Sequence, residues 1–249
     1  MTAPEPGTHG QPVLSRRERA RVATIDEIKE TASQLMREQG TTDLRFSDIA
    51  RVMGMTAPAL YRYFADRDEL LTALIVDAFD ELGAVVAEAR DRVPADDPGG
   101  RLLAVSEAYR QWASREPQKF ALILGMPVPG YAAPEEGPTT EAAIRAMAQL
   151  QALFHEAAAL GRLGSPLIDK ADDAVVECSK EEAEKHAGDA LAPETFQAIL
   201  HCWAILHGFA SLEAYGHLDW LTPEAREEIF ASGVRLAAIT AGLPPPGAS

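Results

Sequence analysis

The segment from Thr56 to Tyr63 carries side chains that could contact a nucleic-acid duplex. Tyrosine hydroxyls donate hydrogen bonds to phosphate oxygens, an arginine guanidinium binds a phosphate or a guanine edge, and small apolar side chains contact a thymine methyl group. A helix here would bury Leu60 and Phe64, which are four residues apart. A helix that only packed a core would not expose two tyrosines beside an arginine. The pattern therefore favours DNA contact at the outward positions Ala57, Pro58, Tyr61, Arg62 and Tyr63.

The same residues also have structural interpretations. Tyr61 or Tyr63 could pack against the first helix with only its hydroxyl exposed, because tyrosine combines an apolar ring with a polar end. Pro58 could serve only to begin a helix, since the first turn needs no intrahelical donor there. The spacing alone leaves both alternatives open.

Two predicted helices precede this segment. A capping box at 24–27 is followed by apolar residues at three- and four-residue spacing as far as Gly40, a suitable C-cap. A short helix then covers about 46–53. Gly54 would supply the positive φ of a tight turn, and Thr56 can cap the third helix. These elements predict a helix-turn-helix whose third helix enters the major groove.

Helix signals dominate the rest of the chain as well, and strand signals are almost absent. A second capping box at 66–69 opens a long helix to about Arg90 with a wide apolar stripe. Four prolines and two glycines predict a loop over 127–138. Further helices are predicted at 102–115, 118–124, 140–160, 166–186, 193–216 and 223–241.

Charge is unevenly distributed along the 249 residues. The formal net charge of -15 excludes nonspecific nucleic-acid binding by the whole surface. Residues 1–65 carry nine Lys/Arg and eight Asp/Glu, whereas the remainder carries 14 and 30. Arginines cluster at 16, 17, 19 and 21. An acidic body with a basic arm indicates one polyanion-binding end, unless that arm is only a solvated tail.

The sequence shows no membrane or secretory signal. No apolar run approaches the roughly 20 residues that span a bilayer, and residues 1–13 are polar. The two cysteines, Cys178 and Cys202, cannot form a disulfide framework. We therefore expect a cytoplasmic protein without a membrane partner.

Histidine and carboxylate spacings do not predict a catalytic or metal site. His201 and His207 are six residues apart, on nearly opposite sides of a helix, and the pair Glu213 and His217 has no evident third ligand. A serine elbow, a phosphate-binding glycine loop and a dinucleotide fingerprint are also missing. We predict no catalytic residue, metal or cofactor, and keep a helical enzyme or metal-binding protein as the less favoured alternative.

The segment from Thr24 to Leu74 resembles the DNA-binding domain of the TetR family of one-component transcriptional regulators. Three motifs carry the resemblance: FSDIA at 46–50, GMTAPALYRYF at 54–64 and RDELL at 67–71. It implies that Tyr61 and Tyr63 bind backbone phosphates and that Arg67 lies close to a phosphate. It also places four residues at or near base edges, namely Thr56, Ala57, Pro58 and Arg62.

One position departs from the family pattern. Where the family often has a threonine that caps the second helix and contacts phosphate, this chain has Arg45, which could reach phosphate but cannot cap. Ser47 could take over that contact. Arg67 has an alternative too, because it could simply pair with acidic neighbours such as Asp68.

The C-terminal part resembles one TetR subfamily more loosely, through a Trp-His-Gly signature at 203–208 and the loop at 122–134. A stripe of small residues, Ala204, Gly208 and Ser211, would let another helix approach closely. Apolar surface for the same contact would come from Leu212, Phe230 and Val234. Two helices from each of two subunits would then form a four-helix bundle. Alternatively, both helices are buried within one monomer.

A ligand cavity is expected between the helices of the acidic body, as in other helical bundles. Each candidate lining residue could instead only pack the core. The candidates are Trp112, Phe120, Leu124, Met126, Met147, Phe154 and Trp203.

These observations predict an all-α protein with an N-terminal three-helix helix-turn-helix DNA-binding domain and a larger helical ligand-binding and dimerisation domain. The expected divisions are a disordered tail at 1–15, the two domains at 16–66 and 67–243, and a second disordered tail at 244–249. The predicted function is a homodimeric repressor that a small, largely apolar effector releases from double-stranded operator DNA. A constitutive DNA binder without an effector remains an alternative.

Overall fold

The computed structural model describes residues 15–133, 136–186 and 191–247. These ranges form ten helices and no strand, which confirms the predicted all-α class. In chain order the helices are α1 (Arg16–Gln39), α2 (Phe46–Val52), α3 (Ala57–Leu60), α4 (Arg67–Asp91), α5 (Pro98–Arg115), α6 (Pro117–Leu124), α7 (Pro138–Ala159), α8 (Asp173–His186), α9 (Pro193–Ala214) and α10 (Pro223–Thr240). None of these helices is long and apolar enough to cross a membrane. The expected tail at 1–14, positions 134–135 of the expected loop and residues 248–249 lie outside the described residues.

The chain divides into two compact units inside α4, after Leu71, where the sequence had suggested a division after residue 66. Unit 1 contains α1, α2, α3 and the first residues of α4. Each of its helices contributes fully buried apolar side chains, which include Ile28, Met36, Ile49, Leu60 and Leu70. Burial of this apolar surface is what positions the polar residues on the outside of α1, α2 and α3.

Helix α1 begins eight residues earlier than its predicted capping box. Ser15 is the N-cap, and its hydroxyl accepts from the amide of Glu18 while the Glu18 carboxylate accepts from the amide of Ser15. Thr24 lies inside α1, where its hydroxyl donates to the carbonyl of Ala20. The predicted box at Thr24 was therefore wrong, because the arginine-rich stretch before it contains no helix breaker and continues the helix upstream.

The turn between α2 and α3 has the expected geometry, but α3 is shorter than expected. Gly54 has a φ of 64°, as a left-handed turn position requires. Helix α3 ends at Leu60, and the chain continues through hydrogen-bonded turns in which the amides of Tyr63 and Phe64 both donate to the carbonyl of Leu60. Tyr61, Arg62 and Tyr63 therefore project from these turns rather than from a regular helix.

Unit 2 consists of the remainder of α4 and helices α5 to α10. Helix α9 packs against α5, α7, α8 and α10, so it lies at the centre of this unit. The largest fully buried side chains of the unit are those of Trp112, Phe120, Phe154, Leu82, Leu102 and Leu153.

Two stretches of unit 2 differ from expectation. Helix α8 begins at Asp173 instead of Pro166. The preceding amides of Gly164 and Leu167 donate to the carbonyls of Gly242, just after α10, and Thr240, its last residue, at 2.8 and 3.0 Å. Residues 244–246, expected to be a disordered tail, are half-buried and lie against Gly99. A Cβ at position 99 would come within 2.4 Å of the Pro244 carbonyl oxygen, so only glycine allows this approach.

Arg110 of α5 joins three helices of unit 2. Its guanidinium donates two hydrogen bonds to Glu213 of α9, at 2.6 and 2.8 Å, and one to Glu227 of α10, at 2.7 Å. The same guanidinium lies 4.5 Å from the centre of the Phe230 ring. The Arg110 and Glu213 side chains are only 12% and 10% exposed. The hydrogen bonds from Arg110 to Glu213 hold the pKa of Arg110 above its usual value, so the arginine stays charged.

Replacing the Glu213 carboxylate should destabilise unit 2. We expect Glu213→Ala to lower the free energy of unfolding by about 3 kcal/mol, since Arg110 would keep a largely buried charge with only Glu227 as its partner. Urea denaturation followed by tryptophan fluorescence measures this unit, because it contains all three tryptophans.

A matched control is Glu228→Ala, which removes the partner of Arg235 from a pair whose side chains are 44% and 75% exposed. This control should cost less than about 1 kcal/mol. Equal losses for the two variants would show that the Arg110 cluster does not stabilise the unit.

Candidate nucleic-acid interface and ligand cavity

The polar groups at the start of α3 are exposed. Thr56 occupies the N-cap position, but its side chain makes no capping hydrogen bond, which differs from the cap expected from sequence. Thr56 and Pro58 are exposed, and Ala57 is half-buried. The Thr56 hydroxyl is therefore not used by the helix itself.

The three residues after α3 are placed differently from one another. Tyr61 is 56% exposed, and its ring packs against Phe46 of α2 with 5.1 Å between ring centres. Arg62 is exposed and Tyr63 is half-buried. The Tyr61 ring thus packs on α2 and not on the first helix, and more than half of the side chain is exposed, while its contact with DNA stays a prediction.

Arg21 of α1 supports this segment, although the sequence had marked it only as one of four clustered arginines. Its guanidinium donates to the backbone carbonyl of Arg62 at 2.9 Å and lies 5.4 Å from the centre of the Tyr63 ring. Together with Arg17, these residues line an open groove. The cluster of arginines at the start of α1 was the available signal, but nothing in the sequence indicated which one contacts the segment after α3.

The first residues of α2 lie next to this segment. Arg45 is the N-cap residue without a side-chain cap, as expected, and both Arg45 and Ser47 are exposed. Phe46 lies between them in sequence and contacts the Tyr61 ring, so the start of α2 and the end of α3 are adjacent.

Arg67 has partners within unit 1. It donates from Nε to the carbonyl of Leu44 at 3.0 Å and from Nη2 to Asp43 at 3.1 Å, and Asp68 is 3.9 Å away. The acidic pairing that we kept as an alternative is present, chiefly with Asp43. A phosphate contact by Arg67 stays a prediction, and it would require the guanidinium to share or exchange these partners.

A cavity of about 40 Å³ lies inside unit 2. Two of the seven candidate residues line it, Met147 and Trp203. The other lining residues are Leu82, Val86, Val105, Ser106, Tyr109, Ala146, Leu150 and Leu206. The cavity is smaller than the roughly 300–1,000 Å³ of ordinary ligand pockets.

The remaining candidates do not line this cavity. Trp112, Phe120 and Phe154 are buried in the core, Leu124 is half-buried against it, and Met126 is 86% exposed. That these five line a ligand pocket stays a prediction, since three of them are buried in the core around this cavity and Met126 lies outside that core.

His207 stacks on Trp203, with ring centres 5.1 Å apart and 16° between the planes. Its Nδ1 is hydrogen-bonded to the Tyr109 hydroxyl at 2.8 Å, and its Nε2 lies 3.3 Å from the Ser211 hydroxyl. Burial lowers the pKa of His207 and raises that of Tyr109, so both side chains are neutral near pH 7. Glu213, considered above with His217 as a possible pair of metal ligands, forms an ion pair with Arg110.

The candidate dimer residues fall into two groups. Phe230 and Val234 are buried within unit 2 and have no surface to offer to a partner, so their assignment to an interface was wrong. Ala204 and Leu212 are exposed, and Gly208 and Ser211 are half-buried. A Cβ added at Gly208 would meet no atom within 4 Å, so this glycine faces open space.

Comparisons with known proteins agree with the fold. Residues 28–74 match the family described as bacterial regulatory proteins, tetR family, and residues 102–237 match the tetracyclin repressor-like C-terminal domain. The HTH-type transcriptional regulator Rv1816 of Mycobacterium tuberculosis is 34% identical over 214 residues, which are 84% of this chain and 89% of that protein.

Solved structures agree as well. The crystal structure of the regulatory protein SCO4313 aligns with a TM-score of 0.69 and 30% identity, over 90% of this chain and 98% of that one. PfmR of Thermus thermophilus, a TetR family transcriptional regulator, aligns with a TM-score of 0.51 and 19% identity over 87% and 98% of the two chains, which shows the fold alone.

The curated relatives are transcriptional regulators and not enzymes. Both the helix-turn-helix and the larger helical part match the family, and the relative at 34% identity extends over most of the chain. This chain therefore belongs to the TetR family of bacterial transcriptional regulators.

Proposed function

We propose that this regulator is a homodimeric repressor that leaves its operator when a small, largely apolar molecule binds unit 2. The observation that carries the DNA-binding part is the surface of Arg45, Ser47, Thr56, Tyr61 and Arg62, whose side chains are all exposed. Guanidinium and hydroxyl groups are those that bind phosphates and base edges. The acidic charge of the chain beyond residue 65 would keep DNA at this end.

Exposed apolar residues on α9 and α10 support dimerisation. On α9 they are spaced along one face at Leu200, Ala204 and Leu212, and on α10 at Ile229, Leu236 and Ile239. Added Cβ atoms at Gly208 and Gly233 would meet nothing, so both helices offer open positions to another helix. Since α9 and α10 pack together, the two faces can combine into one surface of a four-helix bundle.

The cavity beside Trp203 supports a response to ligand. An effector that binds one conformation of the dimer better than the other would shift the population away from the form that fits two half-sites. Because operator DNA is bacterial chromosomal DNA, we place the protein in the cytoplasm.

The direct test is a fluorescence-anisotropy titration with duplex DNA from the region upstream of the protein's own gene, against a shuffled duplex of equal length. We expect preferential binding of the upstream duplex and a steep loss of affinity with salt. Equal affinity for the two duplexes would favour a different target or a different function.

Two substitutions should separate uncharged from charged contacts. Tyr61→Phe keeps the ring contact with Phe46 and removes a hydroxyl, so affinity should fall about threefold to tenfold per subunit with an unchanged salt dependence. Arg45→Ala should reduce the slope of log affinity against log salt by about 1 per subunit, because one phosphate contact is lost.

Arg92→Ala, at an exposed arginine just after α4, is the control for these variants and should change neither quantity. If Tyr61→Phe and Arg45→Ala bind the upstream duplex as the unchanged protein does, these residues are not DNA contacts.

A charge placed on the exposed face should prevent dimerisation. Leu212→Arg on α9 or Leu236→Arg on α10 would bury unpaired guanidinium groups between subunits, so we expect a species of 26.8 kDa in sedimentation equilibrium instead of a dimer. Val52→Arg is the control, because Val52 is 55% exposed and belongs to unit 1. A dimer that survives both α9 and α10 substitutions would place the interface elsewhere.

A further inference from the structure

The first turns of α1 carry a surplus of positive charge that the core of unit 1 does not use. Helix α1 begins at Arg16, and residues 16–21 include four arginines and the single carboxylate of Glu18. All of these residues are exposed. The match to the family begins only at residue 28, so these turns lie outside it. Like charges on neighbouring turns repel one another, and a bound polyanion would remove that cost.

Two of these arginines line an open groove between α1 and the segment after α3. Arg17 and Arg21 are four residues apart and therefore lie on one side of the helix. Both line the groove together with Arg62 and Tyr63. Arg19, two residues from each, lies on nearly the opposite side of α1 and does not line the groove. The groove has a volume of about 390 Å³, and six of its seven lining residues are polar or charged.

The groove contains hydrogen-bond donors that the protein itself leaves unused. Arg21 donates from Nη1 to the carbonyl of Arg62 at 2.9 Å, which leaves most of the five N–H groups of its guanidinium. Among the described residues, the Arg17 guanidinium and the Tyr63 hydroxyl form no hydrogen bond or ion pair. Guanidinium and hydroxyl groups are the usual donors to phosphate oxygens.

The lining carries more positive than negative charge. Glu18 also lines the groove, and its carboxylate accepts from the amide of Ser15. The hydrogen bonds with Ser15 lower the pKa of Glu18, so this carboxylate is charged at neutral pH. Against it stand the three guanidinium groups of Arg17, Arg21 and Arg62. An anion is therefore the occupant that the charge of the groove favours.

We propose that this groove binds a phosphate of the DNA backbone, beside the base pairs that the segment after α3 contacts, with Arg17 and Arg21 as its cationic ligands. The inference rests on the DNA binding proposed above and adds two contact residues on α1. Arg62 and Tyr63 belong both to the groove and to the candidate DNA surface, so a duplex that reaches them brings its backbone to Arg17. A phosphate contact positions the protein on DNA and carries no sequence information.

Arg17→Ala tests the contact, with Arg19→Ala as the matched control. Both changes remove one exposed arginine from the same helix, and alanine favours that helix, so neither should disturb the fold. We expect Arg17→Ala to weaken binding of the upstream and the shuffled duplex by the same factor, about tenfold per subunit. It should also lower the slope of log affinity against log salt by about 1 per subunit, whereas Arg19→Ala should change neither quantity.

Arg17→Lys separates charge from helix effects. Lysine keeps the positive charge and binds phosphate as a point charge, so this variant should retain the salt slope of the unchanged protein. Circular dichroism of the three variants checks that α1 is intact. Arg21 is left unchanged in this series, because its contacts with Arg62 and Tyr63 also support the segment after α3.

Ethylation interference on the upstream duplex identifies the phosphate. Ethylation removes the charge of single phosphates, so it should weaken binding by the unchanged protein at every contacted position. At the phosphate bound in the groove, ethylation should no longer weaken binding by Arg17→Ala, because the contact is already lost. The same interference should persist with Arg19→Ala.

Three results would overturn the proposal: equal effects of Arg17→Ala and Arg19→Ala, a loss of affinity confined to the upstream duplex, or the same ethylation pattern for Arg17→Ala and the unchanged protein. Failure of the proposed function would look different. Equal affinity of the unchanged protein for the two duplexes would contradict a sequence-specific repressor and leave the phosphate contact standing. Binding of neither duplex would contradict both.

Discussion

The buried ion pair between Arg110 and Glu213 fixes the helices on which the functional surfaces of unit 2 depend. Together with Glu227, it ties α5 to α9 and α10 through three strong hydrogen bonds, and the Phe230 ring packs against the guanidinium. The cavity needs α5 and α9 at a set distance, since both helices line it. The exposed apolar faces likewise need α9 and α10 side by side. Two helices in purely apolar contact could shift along each other, whereas the bidentate pair fixes one register between α5 and α9.

Local signals in the sequence predicted the turn and the buried face of the DNA-binding unit. Gly54 predicts its own positive φ, and the spacing of Leu60 and Phe64 predicts the face that is buried. The sequence contains two possible capping boxes for α1, however, one at Ser15 and one at Thr24. The prediction at Thr24 was wrong, because a capping box alone does not show whether the residues before it are helical. The partner of Arg21 was likewise hidden, since it lies 41 positions away.

For unit 2 the sequence predicted which faces are apolar but not what covers them. Phe230 and Val234 have the periodicity of an interface and are covered by their own chain, while Leu236 and Ile239 on the same helix remain exposed. The lining of the cavity was predicted only at Met147 and Trp203. Large aromatic residues fill space, so Trp112, Phe120 and Phe154 pack the core, whereas smaller residues such as Val86, Val105 and Ala146 surround the cavity.

The contact between Arg21 and the carbonyl of Arg62 has a consequence for how such a protein can evolve. The bond is made to the main chain, so it does not depend on which side chain stands at position 62. Homologues could carry another side chain at position 62, and prefer another base, while the hydrogen bond from Arg21 to the backbone carbonyl is kept. Positions 21 and 63 are coupled through a ring contact instead, and we expect them to vary together among homologues.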